Sequence, residues 1–373
     1  MPISQSVQSV QSVQSVQSVQ SVQSVQSVQS VQSVQSVMAG GAATPLGLMT
    51  ARDSVAGPWT RAIEREALDI HDSDNLSMWP DWSRHMAALA DIMGSISYAT
   101  NQSSGAIEVH VMEEDKFQKV GSLMRPSAKD FVDQTAIVYD YADLRVDRMQ
   151  EVLDQINGPM AYFAALLPMT PDRMAKTLEL LALVQTVAGM VAQRCKHALA
   201  CRRPDAFSAQ IQPAIAMPGH GALPSGHATE AFAIAETLRR LLADDHLPAD
   251  KKIKSPGLDD LLFDQAARIA INRTVAGLHF PADSFAGATL GFLVADIVAG
   301  IAGTGNRAVV DCAFNGEGIE STDFMTSRVW SSSQRQSFGT STAPELVKFD
   351  AASVQVNESA IVKWFWQEAR SEW

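Results

Sequence analysis

A run of helix start and stop signals punctuates residues 170 to 283, and any fold open to the chain must respect their spacing. Thr170 can cap, Pro171 suits a first helical position, and Asp172 complements the helix dipole. The helix begun there runs towards Pro204, loosened at Gly189. It ends at the proline, because the residue before a proline avoids helical geometry. Ser225 opens a second helix reaching about Asp244. A polar linker with Pro248, Lys251, Lys252 and Pro256 follows. A third helix covers about Leu258 to Ala276 and stops at Gly277, and a fourth begins near Asp283. Upstream, residues 128 to 157 carry apolar positions at helical spacing and stop at Gly158. Alternating strand-like runs are rare, so the expected fold class is all-α.

The N-terminal part differs in kind. Residues 5 to 37 are eleven perfect copies of Gln-Ser-Val. A three-residue period keeps valine on one face of neither a helix nor a strand. With no charge and no aromatic ring, the repeat cannot offset its ordering entropy, so residues 1–37 are expected to be disordered. Met38 follows directly and is a candidate natural start. Residues 38–59 read as a flexible lead-in and 60–303 as a helical catalytic domain with core motifs at 196–283. Residues 304–373 read as an extension packing on the core. Its aromatic close, Val362-Lys363-Trp364-Phe365-Trp366, predicts a terminal helix.

A net charge of −12 over 373 residues argues against non-specific nucleic-acid binding, which needs a positive surface to displace counterions. Cys195, Cys201 and Cys312 are too few and too uneven for a disulfide framework and read as buried thiols. The most apolar stretch, Phe285 to Gly303, is long enough to span a bilayer, but Asp296 interrupts it. A buried core helix is the expectation. No signal-peptide pattern is seen, so a cytoplasmic location is the default.

Chemistry concentrates in three segments. In Lys196-His-Ala-Leu-Ala-Cys-Arg-Arg203-Pro204 the two named cations are seven apart. On one helix that spacing puts both on one face, ~10 Å apart along the axis. A point cation and a guanidinium fork so placed suit a multi-oxygen anion. In Pro224-Ser225-Gly226-His227 a cap, a glycine and a histidine stand where free helix-start amides attract anions. In the segment from Asn272-Arg273 to Asp283, Gly277 ends a helix and His279 follows. Asp283, four residues later, can hold one ring nitrogen of His279 and leave the other unprotonated.

Each segment alone is a weak signal; together, in this order, they resemble the type 2 phosphatidic acid phosphatases and vanadium haloperoxidases. The shared pattern is K-x6-RP, then PSGH, then SR-x3-G-x-H-x3-D. The one departure is Asn272, where the family usually has serine. The resemblance spans roughly residues 190 to 300 and implies a helical bundle that gathers these segments into one pocket. Carried over position by position, Lys196, Arg203 and Arg273 resemble oxyanion clamps, and Ser225 and the Gly226 amide resemble further donors. His227 resembles the general acid-base. His279 resembles the ligand of phosphorus or vanadium, and Asp283 its orienting carboxylate.

Phosphate and vanadate share a tetrahedral shape, so the resemblance implies two chemistries. One is a peroxidase that holds vanadate on His279 and oxidises halide with hydrogen peroxide. The other is a soluble acid phosphatase acting through a phosphohistidine and needing no cofactor. His220, seven residues before His227, stands where bromide-type haloperoxidases place a histidine behind the oxyanion clamps, and it tilts the reading to the bacterial haloperoxidase-like branch. A non-catalytic oxyanion-binding protein is the third alternative. The expected partner is a small-molecule substrate or a phosphate or vanadate oxyanion. Homo-oligomerisation is a further expectation from the resemblance.

Overall fold

The computed structural model describes residues 45–58, 62–63, 65–243, 257–304, 308–332 and 334–373. The Gln-Ser-Val repeat, Met38 and the linker carrying Pro248, Lys251, Lys252 and Pro256 lie outside these described residues. The chain divides into two compact units, residues 1–68 and 69–373. Among its described residues the first holds one helix, α1 (Pro45–Val55).

In the second unit the helices are α2 (Asp81–Gly94), α3 (Ala128–Asp140), α4 (Arg145–Asp154), α5 (Met160–Leu166) and α6 (Ala175–Leu199). They continue with α7 (Gly226–Ala243), α8 (Leu258–Val275), α9 (Pro281–Ile301) and α10 (Ala360–Ser371). The strands are β1 (Ile96–Asn101), β2 (Ala106–Glu113), β3 (Lys116–Met124), β4 (Ala308–Asn315), β5 (Trp330–Ser331), β6 (Gln334–Arg335) and β7 (Val347–Gln355). A five-stranded sheet runs in the order β1-β2-β3-β4-β7, antiparallel except for the parallel β3–β4 pair. β5 and β6 form a separate ribbon.

The all-α expectation is therefore wrong: this is an α/β protein. The missed signal is plainest in β2, where Ile107, Val109 and Val111 are buried and alternate with half-buried neighbours. That period of two is what a half-covered strand requires. A parallel β3–β4 pair joins chain segments about 190 residues apart, so no local pattern could reveal it.

α9 is the axis of the helical layer, and all of its residues are buried. α7 lies against it closely enough that a Cβ on Gly287 would come within 2.6 Å of Ala228 Cβ and 2.7 Å of the Ser225 carbonyl. Glycine there lets the starts of α7 and α9 meet, and the Ser225 amide donates to the Asp283 carbonyl at 2.8 Å. Both the stretch Ala175–Ala206 and α9 are long and apolar enough to cross a membrane, and α9 is wholly covered by protein.

Helix boundaries shift from expectation in two informative places. Residues 170–174 form a turn, and α6 starts at Ala175. No local side chain caps it; Glu372, near the C-terminus, accepts from the Lys176 and Thr177 amides, each at 2.7 Å. A carboxylate across a helix start satisfies orphan amides and the dipole together. α6 then stops at Leu199, with Ala200 in left-handed geometry. The helical stretch expected over 128–157 is two helices, α3 and α4, joined by the 3-10 turn Tyr141–Leu144.

Candidate active site

Lys196 lies in the last turn of α6, 2% exposed, and its Nζ donates to the carbonyls of Gly221 (3.1 Å) and Ala222 (2.8 Å). Because α6 ends at Leu199, Arg203 does not share a helix face with Lys196. It stands in extended backbone before Pro204, beyond the left-handed Ala200, and the Gly221 carbonyl, which accepts from both cations, rather than helical period, joins the two. Its guanidinium is buried and fully engaged. Nε donates to the His220 carbonyl (3.1 Å), Nη1 to the Leu278 carbonyl (2.9 Å), and Nη1 also meets His279 Nε2 (3.1 Å). Nη2 meets His220 Nδ1 (3.2 Å) and the Gly221 carbonyl (3.3 Å).

His279 follows the break after α8. Gly277, at φ +79°, turns the chain where a Cβ would lie 2.9 Å from Arg145 Nη2. Arg145 itself ties this corner, donating to the carbonyls of Val275, Gln212 and Ile211. His279 Nδ1 lies 2.9 Å from Asp283 Oδ2, which also accepts from the Phe280 amide at 3.0 Å. Guanidinium can only donate, so Nε2 accepts from Arg203 and the ring proton sits on Nδ1. His279 is thus a neutral imidazole with its Nε2 lone pair on the pocket side. Asp283, at the third position of α9, orients it.

Arg273, in the last turn of α8, donates through Nη2 to the Val152 carbonyl and to Gln155 Oε1, both at 3.0 Å. Its Nε and Nη1 are buried and have no hydrogen-bond partner. His227, in the first turn of α7, meets the Gln155 carbonyl through Nε2 at 2.8 Å. A carbonyl only accepts, so Nε2 carries the proton and Nδ1 the lone pair. Ser225 Oγ accepts from the Ala228 amide at 3.4 Å, a long cap at the start of the helix that Gly226 opens. His220 is exposed at the rim.

Residues 177–306 match the family model described as the PAP2 superfamily. This segment, about a third of the chain, is similar to that superfamily. No curated protein matches the chain. The match runs from the start of α6 through α9 and ends before β4, so the cations, both helix starts and both pocket histidines all lie in the matched segment.

Electrostatically, the site is a cation surplus held out of water. Burial, then Arg203, pulls the Lys196 ammonium down to about 7, with Asp283 opposing. Burial lowers Arg203, and lowers Arg273 to about 10. His227 falls to about 4 through burial and then Arg273. His279 falls well below the usual histidine range, through burial and then Lys196 and Arg203. Asp283 goes the other way, pushed up to about 7 by burial and restrained by Lys196. Of the opposing influences on His279, burial and the cations prevail over the carboxylate. Every basic group here is shifted towards losing its proton, and a guest anion would oppose each shift. Arg273 also presents two buried N–H groups in search of an acceptor. The residues fit a tetrahedral oxyanion.

The pocket's fourth wall was not foreseen. Gln155, fully buried after α4, supplies the carbonyl for His227 and the side-chain oxygen for Arg273. Asn272, where the family usually has serine, donates to Glu151 and to Gln155 Oε1. It therefore braces that wall from α8. A backbone carbonyl can come from any residue, so nothing in the identity of residue 155 announced this role. The glycine stop at Gly158 marked only the end of the segment.

Proposed function

We propose that the chain is an oxyanion enzyme in which His279 Nε2 bonds the central atom of a phosphate-shaped guest. The observation that carries this reading is the neutral His279 ring, held by Asp283 on one nitrogen and facing Arg203 with the other. Lys196, Arg203 and Arg273 would take the equatorial oxygens, with the Gly226 amide and Ser225 as further donors. Once an anion satisfies Arg203, the Nε2 lone pair is released for bonding.

Within that class the favoured reading is a haloperoxidase-like enzyme. The contact that favours it is His220 Nδ1 on Arg203 Nη2, which puts a third imidazole at the rim. Vanadate, when bound, would supply the electrophilic centre that activates hydrogen peroxide towards halide. The neutral His227, with its lone pair on Nδ1, would accept the peroxide proton.

The second reading is a phosphomonoester hydrolase, which the PAP2 match itself favours. His279 Nε2 attacks phosphorus, the ester P–O bond breaks, and the leaving alkoxide takes a proton from protonated His227. Water then attacks phosphorus and gives its proton back to His227, and the P–N bond breaks. The two readings need opposite protonation states of His227. Its depressed pKa of about 4 in the free site makes hydrolysis an acid-side activity that falls as pH rises, whereas peroxide activation persists at neutral pH.

The test uses purified protein with orthovanadate, hydrogen peroxide and bromide, scored by bromination of a phenolic dye. Dye bromination supports the peroxidase; its absence, with vanadate-sensitive hydrolysis of p-nitrophenyl phosphate, supports the phosphatase. Silence in both assays with measurable phosphate binding would leave only an oxyanion-binding protein.

A further inference from the structure

The side chain of Gln155 holds a buried donor that neither mechanism uses. Its Oε1 accepts from Arg273 Nη2 at 3.0 Å and from Asn272 Nδ2 at 3.2 Å. The neighbouring cations fix which end of each amide is which. Guanidinium only donates, so Arg273 requires the oxygen of Gln155 on its side, and Arg148 Nη1, at 3.2 Å, requires Oδ1 of Asn272. Asn272 then turns its nitrogen to the Glu151 carboxylate (3.0 Å) and to Gln155. The amide nitrogen left over, Gln155 Nε2, is buried without a hydrogen-bond partner among the described residues, and so are Arg273 Nε and Nη1. Nε2 and Nη1 are the second arms of the two planar groups that meet through Oε1 and Nη2, so these donors are neighbours. Gln155 is fully buried, and its carbonyl meets His227 Nε2 at 2.8 Å. One residue thus joins His227 to Arg273 and has donors of its own to spare.

We infer that Gln155 Nε2 is an oxyanion-binding group: with Arg273 Nε and Nη1 it forms a donor-only corner of the pocket that receives an unsubstituted oxygen of the guest. The inference rests on the oxyanion reading of the site and adds a contact to it. Buried donors without acceptors cost stability, and here they occur together on two side chains bonded to each other. A corner lined only by N–H groups refuses an ammonium or a hydroxyl proton and accepts an oxygen with free lone pairs. The neutrality of the side chain matters as well. A carboxylate at position 155 would take the same bonds from Arg273 and Asn272, but it would cancel the Arg273 charge within the protein, as Glu236 does for Arg239. An amide braces Arg273 and leaves its charge for the guest.

The experiment pairs diffraction from wild-type crystals soaked in inorganic phosphate with calorimetric titration of phosphate into the wild type and Gln155→Glu. That substitution keeps an acceptor for Arg273 and Asn272 and removes the Nε2 donor. In the crystal one phosphate oxygen should lie within about 3.2 Å of Gln155 Nε2, with Arg273 Nε or Nη1 on the same oxygen or an adjacent one. In solution Gln155→Glu should bind phosphate at least about tenfold more weakly than wild type, the low end for a hydrogen bond to a charged group. Phosphate seated against His279 with no oxygen in hydrogen-bond reach of Nε2 overturns the inference and leaves the oxyanion reading standing. Wild-type affinity in Gln155→Glu overturns it equally. Phosphate absent from the pocket at saturating concentration sinks the oxyanion reading, and the inference with it.

Discussion

Two buried charge clusters sit on the same pair of helices, α7 and α9, and they are built on opposite plans. Further along the pair, Glu236 and Asp296 are fully buried and saturated with guanidinium groups. Arg239 grips Glu236 with two bonds of 2.8 and 2.7 Å, and Arg240 bridges Glu236 (2.9 Å) to Asp296 (2.5 Å). Arg335, on β6, meets Asp296 Oδ2 at 2.7 Å and Glu236 Oε1 at 2.9 Å, and lies over the rings of Phe292 and Phe349. Burial alone would push Glu236 up, yet Arg335, Arg239 and Arg240 hold its carboxyl far below the usual range. At the starts of the same helices the balance is inverted. There Lys196 and Arg203 bear on the buried Asp283 carboxyl, and Arg273 keeps two buried donors unpaired. A charge cluster closed on itself fastens the chain, whereas one left short of anions waits for a ligand. The difference separates a structural ion network from a binding site without reference to any relative.

Four substitutions or additions would break or sharpen that contrast. The largest effect belongs to His279→Ala, which should lower turnover in whichever assay is positive by at least ~10³-fold while the protein stays folded. Next comes Arg335→Met in the closed cluster. Removing one partner leaves buried carboxylates short of compensation, so denaturant unfolding should show a loss of about 3–5 kcal/mol. Catalysis per folded molecule should be unchanged. Arg273→Met, in the open cluster, should reverse that pattern. Specific activity should drop about 10²-fold, as for an oxyanion donor. Stability without ligand should change little, because two buried donors without partners vanish along with the bonds to Val152 and Gln155. The smallest effect is ligand-linked. Phosphate at ten times its dissociation constant should stabilise the wild type by about 1.4 kcal/mol and Arg335→Met equally. It should leave Arg273→Met nearly unmoved.

The two clusters also differ in how far they could be read from sequence. The open one was legible because its parts are local: Lys196 and Arg203 before a proline, Ser225 to His227 at a helix start, Arg273 to Asp283 across a glycine break. Even so, the reason given for the first pair was wrong, since α6 ends before Arg203. Gln155 escaped notice because its carbonyl, which any residue could supply, is what meets His227. In the closed cluster Asp296 was seen only as an interruption in an apolar run, because its partner Arg335 arrives from 39 residues away. The five-stranded sheet was lost for the same reason. Its alternation shows in β2, but its parallel pairing and its C-terminal strands depend on contacts far along the chain. Helical starts and stops are written nearby, whereas sheet pairing and trans caps such as Glu372 on α6 are not.

Diffraction from crystals soaked in orthovanadate puts the central claim to the most direct test. The account predicts one vanadate bonded to His279 Nε2, its oxygens held by Lys196, Arg203 and Arg273, with Arg203 displaced from the ring nitrogen it now touches. Vanadate bound elsewhere, or Arg203 still on Nε2 with the ion at saturating concentration, would contradict it.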